Sequence, residues 1–191
     1  GAPLILIIYG GDKNFTPNAR TPIKTIFVEN GFIAASFVFR GHIDDTNFYK
    51  TGLWSRIEDA NAVLSTLATE YPTHPIAVFA VSMGGYVATF LNPSLVKNLI
   101  LVAPAAYHPD AVSKKLNFDP PEAGLDGPFR KLITPTDSWE NSDSFDRIKK
   151  FGGSSLLVIG FTNDEVVRWP EIPERYYKNH PIPDKKSIAW L

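Results

Sequence analysis

Six short apolar runs punctuate the chain: PLILIIY at Pro3 to Tyr9, FIAASFVF at Phe32 to Phe39, IAVFA at Ile76 to Ala80, NLILVA at Asn98 to Ala103, SSLLVIG at Ser154 to Gly160, and SIAWL at Ser187 to Leu191. They do not alternate apolar with polar residues, which is the pattern of strands covered on both faces. Helical patterns lie between them. From Thr21 to Asn30, Ile23, Ile26 and Phe27 fall at helical spacing, and Gly31 stops the run. From Leu53 to Glu70, Ile57, Ala60, Val63, Leu64 and Leu67 share one face with charges on the other, and Pro72 and Pro75 close the segment. Strands alternating with helices predict right-handed βαβ units. The fold expected is therefore α/β: a doubly wound, mostly parallel sheet of about six strands with helices on both faces.

The 191 residues suit a single domain spanning 1–191. Residues 104–153 interrupt the alternation with a stretch rich in Pro, Gly and Asp, "NFDPPEAGLDGPFRKLITPTDSW" among it. An irregular segment of this length inside a compact domain is expected to be a lid or binding loop. Its Tyr107, Phe118, Phe129 and Trp139 suit either an apolar or aromatic pocket wall or a small core of the segment's own.

Lys and Arg together number 19 against 20 for Asp and Glu, so no charge bias draws the chain to nucleic acid or an anionic membrane. The partner expected is a small molecule or a protein. The absence of cysteine excludes a disulfide framework, a thiolate zinc site and a cysteine nucleophile. The opening apolar run ends at Tyr9-Gly10-Gly11, about eight residues and too short for a membrane span. With no targeting segment legible, the cytoplasm is the expected compartment.

"VFAVSMGGYVA", Val78 to Ala88, holds the chemistry. Ser82 directly follows a predicted buried strand and precedes a small-residue helix that should run from Gly84 to Asn92-Pro93. A sharp turn there lifts the hydroxyl out of the sheet. Ala80 and Gly84 let strand and helix approach, and the helix N-terminus offers backbone N–H groups to a developing oxyanion. The same residues would also serve a plain tight turn.

This stretch is similar to the nucleophile elbow of the α/β-hydrolase superfamily, with Ala80 at the first glycine of G-x-S-x-G. "YGG" after the first strand is similar to the family's oxyanion loop, with Tyr9 in its His position. "FRGHID" resembles its R-G-H-G turn, and "LLVIGFTNDEVV" resembles the strand and turn that carry its acid. The resemblance implies a serine hydrolase of the carboxylesterase type, cleaving an ester, thioester or amide through an acyl-enzyme. Ser82 is its nucleophile and Asp164 the triad acid, with Glu165 as the rival. Backbone N–H groups of Met83 and of Gly11 or Asp12 form its oxyanion hole, where Gly10 and Gly11 allow close approach and unusual torsions. Asp12 and His108 are candidate pocket residues. No metal or cofactor is implied.

The base does not fall into place. His74 and His180 should lie at the edge of the sheet opposite Ser82. His42 and His108 follow strands, but His42 matches a structural turn histidine and His108 belongs to residues 104–153. The resemblance puts the histidine after the last strand, so it is expected beyond Leu191, with the chain continuing past that point. Two other readings stand beside the enzyme. One is a non-catalytic α/β-hydrolase-like binding protein that lacks the base. The other, a nucleotide-binding fold, is disfavoured because no G-x-G-x-x-G follows the first strand.

Overall fold

The computed structural model describes residues 1–11, 21–42, 45–133, 139–168 and 170–191. Its strands are β1 (Leu4–Ile8), β2 (Ile33–Ser36), β3 (Ile76–Val81), β4 (Asn98–Val102), β5 (Ser155–Gly160) and β6 (Lys186–Trp190). They form one sheet in the order β2-β1-β3-β4-β5-β6, with every neighbouring pair parallel. The chain steps outward from β1 to β2, then returns past β1 to β3 and proceeds the other way. The strand order therefore reverses between β1 and β3, and the crevice at their carboxyl ends is where such sheets bind ligands.

The helices are α1 (Thr21–Glu29), α2 (Asp45–Phe48), α3 (Leu53–Glu70), α4 (Met83–Ala88), α5 (Asp110–Ser113), α6 (Pro128–Ile133), α7 (Ser144–Arg147) and α8 (Glu171–Asn179). Residues α3, α4 and α8 contribute to the main core, among them Ala60, Leu64, Val87 and Tyr176, pack with Leu4, Leu6, Val78, Ala80, Leu99, Leu101 and Val158 on one face of the sheet. On the other face, Phe27 of α1 meets Phe79 of β3 edge to face at 5.4 Å.

Burial differs from the expectation of uniformly enclosed strands. All five residues of β1 are fully buried, but β4 and β5 alternate, with Leu99, Leu101, Leu156 and Val158 inside and Ile100, Val102, Leu157 and Ile159 half-exposed. Edge strand β2 is also shorter than its apolar run, and Phe37 to Phe39 leave the sheet.

Helix α3 matches its predicted bounds but carries one charge on the buried side. Arg56 is 2% exposed. Its guanidinium lies 4.7 Å from the Phe39 ring centroid and 4.9 Å from that of Phe118, and it donates to His42 Nε2 at 2.6 Å. Such rings compensate part of a cation's lost hydration. The predicted helix beginning at Gly84 is a single short one. Past Ala88 the backbone tightens into i to i+3 bonds, Phe90 N–H to Val87 O and Leu91 N–H to Ala88 O, while Thr89 Oγ1 donates to Tyr86 O.

Candidate active site

Ser82 joins β3 to α4 with φ 54° and ψ −122°. A non-glycine residue there carries strain of about 1–3 kcal/mol, and the surroundings hold it in place. Ser82 N–H donates to Val102 O at 2.9 Å. Its carbonyl accepts from Gly85 N–H at 2.8 Å and from Ala105 N–H at 3.0 Å. The glycines that follow are required by space. A Cβ on Gly84 would fall 2.5 Å from Ile8 O, and one on Gly85 would fall 2.7 Å from Pro104 Cβ. The start of α4 is thus wedged between the end of β1 and Pro104. Ser82 is half-buried, and among the described residues its Oγ has no hydrogen-bond partner.

The loop after β1 lies against this turn. A Cβ on Gly10 would stand 3.3 Å from Ser82 Cβ and 3.6 Å from its Oγ, and one on Gly11 would stand 2.5 Å from Met83 Cε. Neither glycine has a positive φ. The close approach expected of them is present without the left-handed φ that unusual torsions would bring, and it is the missing side chain that matters. Met83 is the first residue of α4, so its N–H has no acceptor within the helix. Asp12, expected beside Gly11, lies outside the described residues.

Asp164 sits in the turn after β5, half-buried, while Glu165 is exposed. One carboxylate oxygen, Oδ1, accepts from Val166 N–H and Val167 N–H, each at 2.9 Å. Among the described residues Oδ2 has no such partner. The end of β6 runs alongside: Thr162 N–H donates to Leu191 O at 2.9 Å, and Leu191 N–H to Gly160 O at 3.0 Å. Ser82 follows β3 and Asp164 follows β5, with β4 between them. Two strand spacings set β3 and β5 about 10 Å apart.

All four histidines are engaged elsewhere. His42 meets Arg56. His74, in the turn before β3, packs edge-on against Tyr71 at 5.6 Å. His180, 1% exposed, places Nε2 3.1 Å from Phe151 O and 3.2 Å from Ser154 O, at the amino end of β5. His108 Nδ1 accepts from Asp110 N–H at 3.2 Å and lies 3.9 Å from the Asp110 carboxylate.

A cavity of about 570 Å³ opens from Gly11, Ser82 and Met83. Tyr107 faces it where His108 was expected, because the His108 ring is turned onto its own backbone at Asp110. Phe118 and Phe129 resolve the two uses weighed for the aromatics of residues 104–153, for they both line the cavity and build a second small core with Phe48, Leu53, Tyr86 and Ala111. Trp139 instead packs against the main core. Phe48 and Tyr49, both cavity residues, gave no signal in the sequence. Among the described residues no three His, Cys, Asp or Glu side chains gather as metal ligands, and no helix is long and apolar enough to cross a membrane.

Among solved structures, Est1E from Butyrivibrio proteoclasticus with ferulic acid bound matches over 99% of this chain and 79% of its own, with a TM-score of 0.71 at 20% identity. A thermostable carboxyl esterase from Bacillus coagulans in complex with glycerol matches over 99% and 81%, with a TM-score of 0.66 at 14% identity. A monoacylglycerol lipase from Paleococcus ferrophilus matches over 100% and 86%, with a TM-score of 0.61 at 14% identity. Likeness at these identities is one of fold, and the fold is that of the α/β hydrolases. Within that superfamily the chain belongs to the family described as serine aminopeptidase, S33, whose profile matches residues 24–136, a span that contains Ser82 and ends before Asp164. No curated protein sequence matches the chain significantly.

Proposed function

We propose that this α/β hydrolase is a serine hydrolase that cleaves an ester or thioester of a small molecule, and by the same chemistry an amide, through an acyl-enzyme. The observation that carries the reading is Ser82 at φ 54°, held at the strand-order reversal with its hydroxyl at the mouth of a cavity. Ser82 Oγ attacks the substrate carbonyl carbon and gives its proton to an imidazole. The carbonyl oxygen becomes an oxyanion, held by the N–H groups of Met83 and Gly11. Collapse expels the alcohol or thiol, which takes the imidazole's proton, and water then releases the acyl group by the same groups in reverse.

Asp164 orients and charge-stabilises the imidazole. His42, His74, His108 and His180 are each held elsewhere, so we assign the base to none of these four. Residues 104–153 act as the lid of a single domain spanning 1–191, and Asp12 borders the substrate near Gly11. Est1E with its ferulic acid, the carboxyl esterase and the lipase favour ester substrates. The serine aminopeptidase description of the family favours amides, and both are acyl transfers to serine.

A fluorophosphonate probe read by intact mass and peptide mapping tests this. One adduct on Ser82, lost in Ser82→Ala and slowed about 10³-fold or more in Asp164→Asn, supports the mechanism. An adduct that persists in Ser82→Ala moves the nucleophile elsewhere. An unreactive serine in a stably folded chain favours the second reading, a binding protein without its base, to which the unpartnered Ser82 Oγ also points.

A further inference from the structure

The cavity beyond Ser82 has walls that discriminate among substrates. Phe48 and Phe118 stack at 5.1 Å with 17° between their planes, and Phe129 meets Phe118 edge-on at 5.0 Å. Each of the three is at most 7% exposed, so the rings are held by packing before a ligand enters. Tyr107 adds a further ring, edge-on to Tyr86 at 5.1 Å. A wall of preset aromatic edges suits a planar ligand, which gains edge-to-face ring geometry and has few rotors to freeze. A flexible alkyl chain gains contact area alone.

The lining of the cavity also includes Arg130, beside Asp119. Arg130 also lines an adjoining groove of about 330 Å³ beside Gly124 and Leu125. Its guanidinium is exposed, and no carboxylate of the described residues pairs with it. The nearest candidate, Asp119, spends its carboxylate on backbone: Oδ1 accepts from Phe129 N–H at 3.2 Å and Oδ2 from Arg130 N–H at 2.6 Å. Burial raises the pKa of the Tyr107 hydroxyl, and the charges of Arg56 and Arg130 oppose that rise.

We propose that the cavity takes an ester or thioester of an arylalkanoic acid that bears an anionic substituent on its ring, with the ring against Phe118 and Phe129 and the anion at Arg130. The assignment of the carbonyl to the Ser82 end rests on the serine hydrolase reading. The recognition of ring and anion rests on the cavity alone.

Affinities of three non-hydrolysable amides, measured by calorimetry on the same chain, test it. They are 3-phenylpropanamide, 3-(4-carboxyphenyl)propanamide and nonanamide. The carboxylated amide should bind about tenfold more tightly than the unsubstituted one, which in turn should outbind nonanamide. Arg130→Gln should erase the first preference and leave 3-phenylpropanamide unchanged. Phe129→Leu, which keeps an apolar side chain without the ring and so guards against the misfolding Phe129→Ala invites, should erase the second. Nonanamide binding as tightly as the aryl amides, or a carboxylate preference that survives Arg130→Gln, overturns the proposal. Fluorophosphonate labelling separates the two readings. Labelling with the ranking lost sinks this proposal alone, and the ranking without labelling sinks only the hydrolase mechanism.

Discussion

At Ser82 a torsion that costs about 1–3 kcal/mol is held by three backbone hydrogen bonds, its N–H donating to Val102 O and its carbonyl accepting from Gly85 and Ala105 N–H. The neighbouring glycines set how closely those parts approach. A methyl on Gly84 would meet the Ile8 and Tyr9 carbonyl oxygens at 2.5 and 2.8 Å, and backbone cannot swing aside as a side chain can. Gly84→Ala is therefore expected to destabilise the fold by about 3 kcal/mol or more, read as a fall in the urea midpoint. Gly10→Ala meets Ser82 Cβ at 3.3 Å, a contact that a small shift relieves. It should cost less than about 1 kcal/mol yet slow fluorophosphonate labelling, because its methyl takes space beside the hydroxyl. Equal losses of stability in the two variants would contradict this account.

At the scale of elements, α8 reaches the elbow through a chain of hydrogen bonds. Tyr176, fully buried, donates from its hydroxyl to Ala105 O at 2.7 Å and lies 2.8 Å from Ser144 Oγ, while Ala105 N–H holds the Ser82 carbonyl at 3.0 Å. Burial raises the Tyr176 pKa above its usual value, so the hydroxyl remains a neutral donor. A second tie joins α4 to α7's start, where Tyr86 donates to Asp143 Oδ1 at 3.2 Å and Arg147 Nε donates to Asp143 Oδ2 at 2.8 Å. Tyr176→Phe should cost about 1–2 kcal/mol and lower the maximal labelling rate at Ser82 several-fold with probe affinity unchanged. A loss of stability with no change in that rate would make Tyr176 a packing residue only. Neither tie was legible in the sequence, since Tyr176 and Ala105 are 71 residues apart and no local pattern links them.

Across the whole molecule the two edges of the sheet divide stability from chemistry. Ser82, Asp164 and the glycine loop share the carboxyl edge, whereas His180 is buried at the amino end of β5 against the Phe151 and Ser154 carbonyls. His180→Leu takes one donor from those carbonyls, of which Phe151 O keeps Ser154 N–H at 2.8 Å, and should cost about 1–3 kcal/mol. At temperatures where the variant stays folded, Ser82 labelling should match that of the unaltered chain. Loss of labelling in folded His180→Leu would make this histidine part of the reaction and contradict its reading as a structural residue.

What the sequence determined by itself was whatever short-range physics controls. Apolar runs set the strands to within one residue, save at β2, which ends three residues early, and the 3.6-residue period set α3 at Leu53–Glu70. The serine between strand and glycines, with only small neighbours, marked the turn whose positive φ the structure displays. The tertiary structure decided what depends on distant partners. It buried Arg56 among the rings of Phe39 and Phe118, put Tyr107 at the cavity where His108 had been expected, and left one face of β4 and β5 half-exposed. A residue's torsion and period are written in its neighbours along the chain, but its burial and partners are set by which segments the fold packs against it, and those lie tens of residues away.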